Sequence, residues 1–497
     1  MKIVIVGGGS AGWMTASTLI KEYPTWDITL FESPMVGSLG VGESTTQYFR
    51  HWTNFIGIKD EEWMPYCDAT YKSSIRFQNF HSLDEDDVWH YPFGIPSLNL
   101  PPDAWFYLAH KRGWNTNKFA RDYYISAECS EHNLLPLGHP DFDIKQTGFH
   151  FDAVKFAEWL KIYFACPRGV KHRIMHVLED NIPEADLYFD CTGFRSLLND
   201  SEWIDYSDWL PNNKALATRL PYRDKKNQLE ATTNCIALSS GWSWKVPTWS
   251  RIGTGYNYCD KYISDEEARL EFIEHLRSQG HSIQDDHKFR LIPYKTGRKK
   301  ETWKGNVVSI GMSGGFIEPL ESNGLLSVHA FLMHFIRVMD KRKKVTQFMR
   351  DTFNNNCNFS MDGFASFVGL HYAMTQRDDS PYWRAVSDIN YPYTNMFKDL
   401  QITYLEEAQK FHEKIKWENG DGIWCAMAGH GWNPFNSVIK SQMDMFPPDP
   451  KYDPDSTEYF NAPTNGIYDI PPWEDLDKLK SPYDYYTDKQ ESHYYES

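Results

Sequence analysis

The chain has 497 residues, 41% of them hydrophobic, enough for several domain-sized units or one elaborated α/β enzyme. Its formal net charge of −16 excludes a polyanion partner, because the only dense basic run is Asp340-Lys-Arg-Lys-Lys344, so nucleic acid is not expected. Eight scattered cysteines with no close pair point to reduced thiols, no metal and a cytoplasmic protein, and neither a signal peptide nor a membrane span is expected.

In chain order, Lys2–Val6 reads as a short buried parallel strand, Gly7-Gly-Gly-Ser-Ala-Gly12 as a turn and Trp13–Lys21 as a helix. A second strand, Asp27–Phe31, ends at Glu32, about twenty residues beyond the glycines, where a carboxylate accepts hydrogen bonds from a ribose. Together they make a dinucleotide site in which Gly7, Gly9, Ser10, Ala11 and Gly12 approach a pyrophosphate at a helix N-terminus. Gly40-Val-Gly-Glu-Ser-Thr45 is a second small-residue loop, either a strap over the cofactor through Gly42, Glu43, Ser44 and Thr45 or an ordinary turn.

Thr70–Phe77 alternates as a strand, with Tyr71, Ile75 and Phe77 on one face and Lys72, Ser74 and Arg76 on the other. By residue type alone such a lysine is a solvated edge residue. Phe151–Tyr163 reads as a helix with Val154, Phe156, Ala157 and Leu160 as its apolar stripe, and Ala185–Ser196 as a strand followed by a Thr-Gly turn. In Gly241-Trp-Ser-Trp-Lys-Val-Pro247 the strand period puts Trp242, Trp244 and Val246 on one face, with Pro247 stopping the ladder. Asn306–Ile310 repeats the strand form before Gly311, and a long helix is expected from about Ser322 to Met339. Glu321 stands at its mouth, where the amides of Asn323 and Gly324 suit either a small anion or a plain helix cap. Beyond Pro447 the sequence loses helical period and reads as an extended tail.

Taken in order, Gly7–Gly12, Gly40–Thr45, Lys72 in its strand, Asp190–Ser196, Gly241–Pro247 and Gly311–Gly324 resemble the flavin-dependent halogenases, in the branch of the tryptophan halogenases. The likeness spans residues 1–345, and Gly241–Pro247 matches the family's G-W-x-W-x-I-P signature with Val246 in place of Ile. It implies an α/β chain with an FAD-binding Rossmann-like fold (GR2-type, hydroxybenzoate-hydroxylase-like), an inserted substrate-side sheet and a mainly helical C-terminal region. Residues 1–72, 146–200 and 285–345 would form a discontinuous FAD-binding domain, with 73–145 and 201–284 as substrate-side insertions, 346–447 as the helical region and 448–497 as the tail.

The resemblance further implies reduced FAD delivered in trans by a separate flavin reductase, O2, and a halide oxidised to hypohalous acid at the flavin, Gly311 standing beside the cofactor. The acid would pass through an internal channel to Lys72, which hydrogen-bonds it or forms a haloamine, while Glu321 orients and polarises the halogenating species. Asn323, where relatives commonly carry Thr or Ser, and Gly324 would hold the halide. Trp242, Trp244 and Pro247 would wall the channel, and His90 and Phe93, spaced one residue differently from the family, would grip an electron-rich aromatic of indole or phenol type. The alternative on this fold is a single-component FAD aromatic hydroxylase, disfavoured because Met312 follows Gly311 where those enzymes usually carry Asp; a non-catalytic flavin-binding protein is the other. A homo-oligomer is left open.

Overall fold

The computed structural model describes residues 1–35, 43–84, 86–96, 98, 102–178, 180–339, 344–389, 420–433 and 473–490. Gly42 and most of the basic run, residues 340–343, lie outside the described residues. The first sheet runs in the order Trp303–Lys304, Val307–Ser309, Leu187–Asp190, Lys2–Val6, Asp27–Glu32, Lys171–Ile174. Its strands are parallel except for the hairpin partner Trp303–Lys304. Lys2–Val6 is central and buried after its first residue, as expected of a strand with helices packed against its sheet.

Helix Ser10–Glu22 buries nine consecutive residues, Gly12–Ile20, because it lies between that sheet and other helices. Of its interior hydroxyls, Thr15 donates to the Ala11 carbonyl at 2.7 Å and Thr18 to the Met14 carbonyl at 2.8 Å while accepting from Trp52 Nε1 at 2.8 Å, whereas Ser17 Oγ is buried without a partner. Gly12 is required there, since a Cβ would come within 1.8 Å of the Gly7 carbonyl oxygen.

A seven-stranded sheet takes the order Arg290–Pro293, Lys214–Leu220, Ile252–Tyr258, Gly241–Pro247, Thr232–Leu238, Ser74–Gln78, Val88–Pro92. The segment expected as one strand, Thr70–Phe77, is two. Thr70–Lys72 pairs with Gly148–Phe151 in a small sheet, and Ser74–Gln78 joins the large one. The chain changes sheet at Ser73, whose N–H donates to Ala231 O at 2.7 Å and whose carbonyl accepts from Phe93 N at 2.8 Å. Lys72 is therefore enclosed instead of facing solvent beside Arg76.

Three other expectations shift. The helix after Phe151 runs Ala153–Trp159 and continues as a π-helical turn, Leu160–Ala165. Val154, at its open first turn, is exposed, and the buried stripe is Ala153, Phe156, Ala157, Leu160 and Phe164. The long helix is Leu326–Val338, preceded by the 3-10 turn Pro319–Glu321 and by Ser322 in the left-handed region at φ 58°, which breaks the helical path. Of the tail expected to be extended, Pro482–Gln490 is a helix whose Tyr486 is wholly buried and accepts a hydrogen bond from Tyr71 N at 2.6 Å. Burial of an aromatic ring stabilises what local period alone does not. In the C-terminal region Gln347–Ala373, Pro381–Ser387 and Gly420–Gly429 are helical, and the last covers strand Val88–Pro92.

Candidate active site

A cavity of about 530 Å³ opens along the C-terminal ends of the parallel strands, within the size range of cofactor sites. Gly7–Ala11, Glu32, Glu43, Ser44, Gly311 and Gly324 line it. An FAD fits these residues. A Cβ on Gly9 would meet nothing within 4 Å, so the backbone is open to a phosphate. The helix Ser10–Glu22 has no side-chain cap and no acidic residue in its first turn, leaving its N-terminal amides for an anion. Glu32 lies against the glycine turn, where a Cβ on Gly8 would come within 2.3 Å of it, and its Oε2 is 2.8 Å from His172 Nε2.

Several lining residues went unmarked by sequence reasoning. The turn Thr192–Arg195 is held under the cavity by buried Asp190, which accepts from Thr192 N at 3.0 Å and Leu198 N at 2.8 Å. Asp190 and the turn were visible in the sequence as a motif. Ala215, Thr233, Asn257 and Tyr294 carried no local signal and reach the cavity only because the large sheet packs there.

The signature strand divides its indoles. Trp244 and Val246 line the cavity, whereas Trp242 is wholly buried and donates through Nε1 to Glu318 Oε2 at 3.0 Å. Glu318 also accepts from Asn212 at 2.7 Å and Tyr372 at 3.0 Å, and burial still raises its carboxyl above the usual range. The Pro247 carbonyl accepts from Thr70 Oγ1 at 3.0 Å, which ties the signature strand to the lysine strand.

Lys72 is wholly buried, and desolvation holds its ammonium down at about 7. Its Nζ donates to Ser322 Oγ, a group on the cavity wall, and lies 5.0 Å from the centre of the Phe93 ring. From Ser322 a chain of hydroxyls continues: Ser44 Oγ donates to it at 3.1 Å, Thr233 Oγ1 is 2.7 Å from Ser44, and His150 Nε2 is 2.8 Å from Thr233. Where a channel was expected, Ser322 is the point at which flavin cavity and lysine meet.

Glu321 is also wholly buried. Burial raises its carboxyl, which His371 and Lys72 oppose by charge, so the fold brings together two residues far apart in sequence. Of the two expected aromatic-binding residues only Phe93 reaches Lys72. His90 lies opposite Arg76 across the strand pair, and its Nε2 is 2.8 Å from Glu131.

Asn323 and Gly324 precede the long helix instead of opening it, and among the described residues their amides have no hydrogen-bond partner. Asn323 lines a void of about 10 Å³ with Thr45, Thr46, Ser322 and His329, room for one water-sized sphere, and its Oδ1 is buried without a partner. Thr45 thus faces this void, and among the described residues it is not part of the cofactor cavity lining. A Cβ on Gly324 would stand 2.9 Å from Glu43 Oε2, and burial pushes that carboxyl up to about 7.

A βαβ cavity with an open glycine turn, walled by a second sheet, is the arrangement of a Rossmann-like dinucleotide-binding protein. A family model described as tryptophan halogenase matches residues 2–440. Tryptophan 7-halogenase RebH of Lentzea aerocolonigenes is 32% identical over 485 residues, covering 87% of this chain and 90% of that protein. Among solved structures, the apo structure of VirX1 superposes with a TM-score of 0.78 at 35% identity, covering 90% of this chain and 92% of that one. Tryptophan 6-halogenase SttH from Streptomyces toxytricini does so with 0.77 at 28% identity, covering 98% and 99%. The chain belongs to the tryptophan halogenase family, and it is a flavin-dependent enzyme that halogenates an aromatic substrate. Among the described residues no helix is long and apolar enough to cross a membrane.

Proposed function

We infer that this chain halogenates an electron-rich ring of indole or phenol type at Lys72, using reduced FAD delivered by a separate reductase. The chemistry that reduced FAD and O2 supply when bound is oxidation of a halide to hypohalous acid. The observation that carries the reading is the buried amine of Lys72, hydrogen-bonded to Ser322 on the wall of the flavin cavity, with Phe93 beneath it.

The unpartnered amides of Gly324, on the cavity wall, and of Asn323, whose side chain borders the adjoining small void, are the groups that hold the halide. Lys72, whose neutral fraction grows as pH rises through about 7, receives the oxidised halogen, since a free amine lone pair is nucleophilic and an ammonium is not. Glu321 takes the ring proton as the arene is attacked. Trp244 and Val246 on the cavity wall keep a bulky organic molecule off the flavin. Relatives named as tryptophan halogenases make an indole the first ring to try.

The test is incubation with reduced FAD, O2, bromide and indole, read by mass for bromine, beside Lys72→Ala. The parent gives bromoindole and the variant essentially none while FAD binding persists. Hydroxylated product, or equal bromination by both proteins, overturns the assignment.

A further inference from the structure

His371, near the end of helix Gln347–Ala373, has no exposed surface and is packed among rings: Phe77 at 5.0 Å, Phe367 at 5.3 Å and Trp89 at 5.4 Å between centroids. Its Nδ1 lies 3.0 Å from the Phe367 carbonyl, which only accepts, so Nδ1 carries a hydrogen. The other nitrogen, Nε2, is 2.7 Å from Glu321 Oε1, off the line of an ideal hydrogen bond. Among the described residues neither oxygen of that carboxylate has another partner.

Two lone-pair atoms buried at that separation repel unless a proton lies between them. With Nδ1–H committed to the backbone, the pair must hold one proton in common, as Glu⁻ with HisH⁺ or as GluH with His. The charged or titratable groups around it are Lys72 and the buried Cys235 thiol on the Glu321 side, Glu318 on the His371 side, and buried His430, whose ring is 6.1 Å from His371. Tyr372, the next residue, holds Glu318, so one helix end secures both glutamates of the Glu318–Glu321 turn.

We propose that His371 is the positioning residue and proton partner of Glu321, so that the carboxylate opposite Lys72 works as half of a buried Glu–His pair. This rests on the reading of Glu321 given under the proposed function. Once the halogen has added to the ring, the C–H bond at that carbon breaks and its electron pair restores the π system. The proton goes to the Glu321 carboxylate, and the net positive charge stays on the imidazolium. Without His371 the burial that raises the Glu321 carboxyl loses its largest opposing contribution, so the carboxyl holds its proton more firmly and is less available as a base.

The test uses the full chain with reduced FAD, O2, bromide and indole, ring-deuterated or not. His371→Gln keeps a donor toward Glu321 but takes no proton, and His371→Asn keeps the donor to the Phe367 carbonyl. Both are expected to lower kcat about tenfold or more with KM and FAD affinity unchanged. A ring isotope effect on kcat should appear in the variants that the parent lacks, because deprotonation has become limiting. Glu321→Gln should be slow as well, and the double variant no slower than the slower single one. Parent-like kcat in either His371 variant, or slow turnover without an isotope effect, overturns the proposal. Full activity in Glu321→Gln instead overturns the reading of Glu321 beneath it.

Discussion

At the scale of single residues, the amine of Lys72 is governed by where the chain changes sheet. A solvated lysine titrates near 10.4. Enclosed between Ser322 and Phe93, this one titrates at about 7 because burial disfavours its charged form. If the neutral amine receives the halogen, halogenation under saturating reduced FAD rises with pH through about 7, and Lys72→Arg is inactive throughout because guanidinium stays protonated. A rate that instead falls through that pH identifies the ammonium, as hydrogen-bond donor to hypohalous acid, as the working form. The same burial bears on stability. The folded lysine loses its proton at about 7 and the unfolded one about three units higher, so its burial costs most below pH 7 and the cost fades as pH rises between the two values. Lys72→Met should therefore raise the melting temperature more at pH 6 than at pH 9.

At the scale of elements, the signature strand Gly241–Pro247 serves two spaces. One indole borders the flavin cavity, and the other is bound in the core by a carboxylate that also holds helix Gln347–Ala373 through Tyr372. Trp242→Phe removes a donor from buried Glu318 and leaves a void where the larger indole was wholly buried, which together should cost at least about 1–3 kcal/mol. Urea unfolding measures it, and Trp242→Phe combined with Glu318→Gln should lose less than the sum of the two single changes. The helix start is governed likewise: Ser322 in the left-handed region keeps Asn323 and Gly324 out of the helix and their amides free of helical bonding.

At the scale of the whole molecule, the C-terminal helix Pro482–Gln490 is part of the active-site support. Tyr486 packs against Tyr71, the neighbour of Lys72, and takes its backbone hydrogen bond. Tyr486→Ala should destabilise the protein by about 3–5 kcal/mol, seen as a lower urea midpoint, with halogenation falling alongside. Tyr486→Phe should cost about 1–3 kcal/mol through the lost acceptor for Tyr71 N.

Read along the chain, the dinucleotide unit was legible because its parts are local: strand, glycine turn, helix and acid lie within Lys2–Glu32, where hydrophobic period and backbone sterics act over a few residues. The signature strand was legible for the same reason. What tertiary structure alone decided is which buried charges share a space. Thr70–Phe77 alternates as well in one sheet as across two, so no local rule places Lys72 inside. Leu370-His-Tyr372 carries no motif, yet packing sets its imidazole on Glu321 and its phenol on Glu318. Sequence by itself determined the cofactor-binding unit and the order of the parts around it. The proton states of Lys72 and Glu321 were left to the fold, because desolvation and partner distance exist only once distant segments exclude water together.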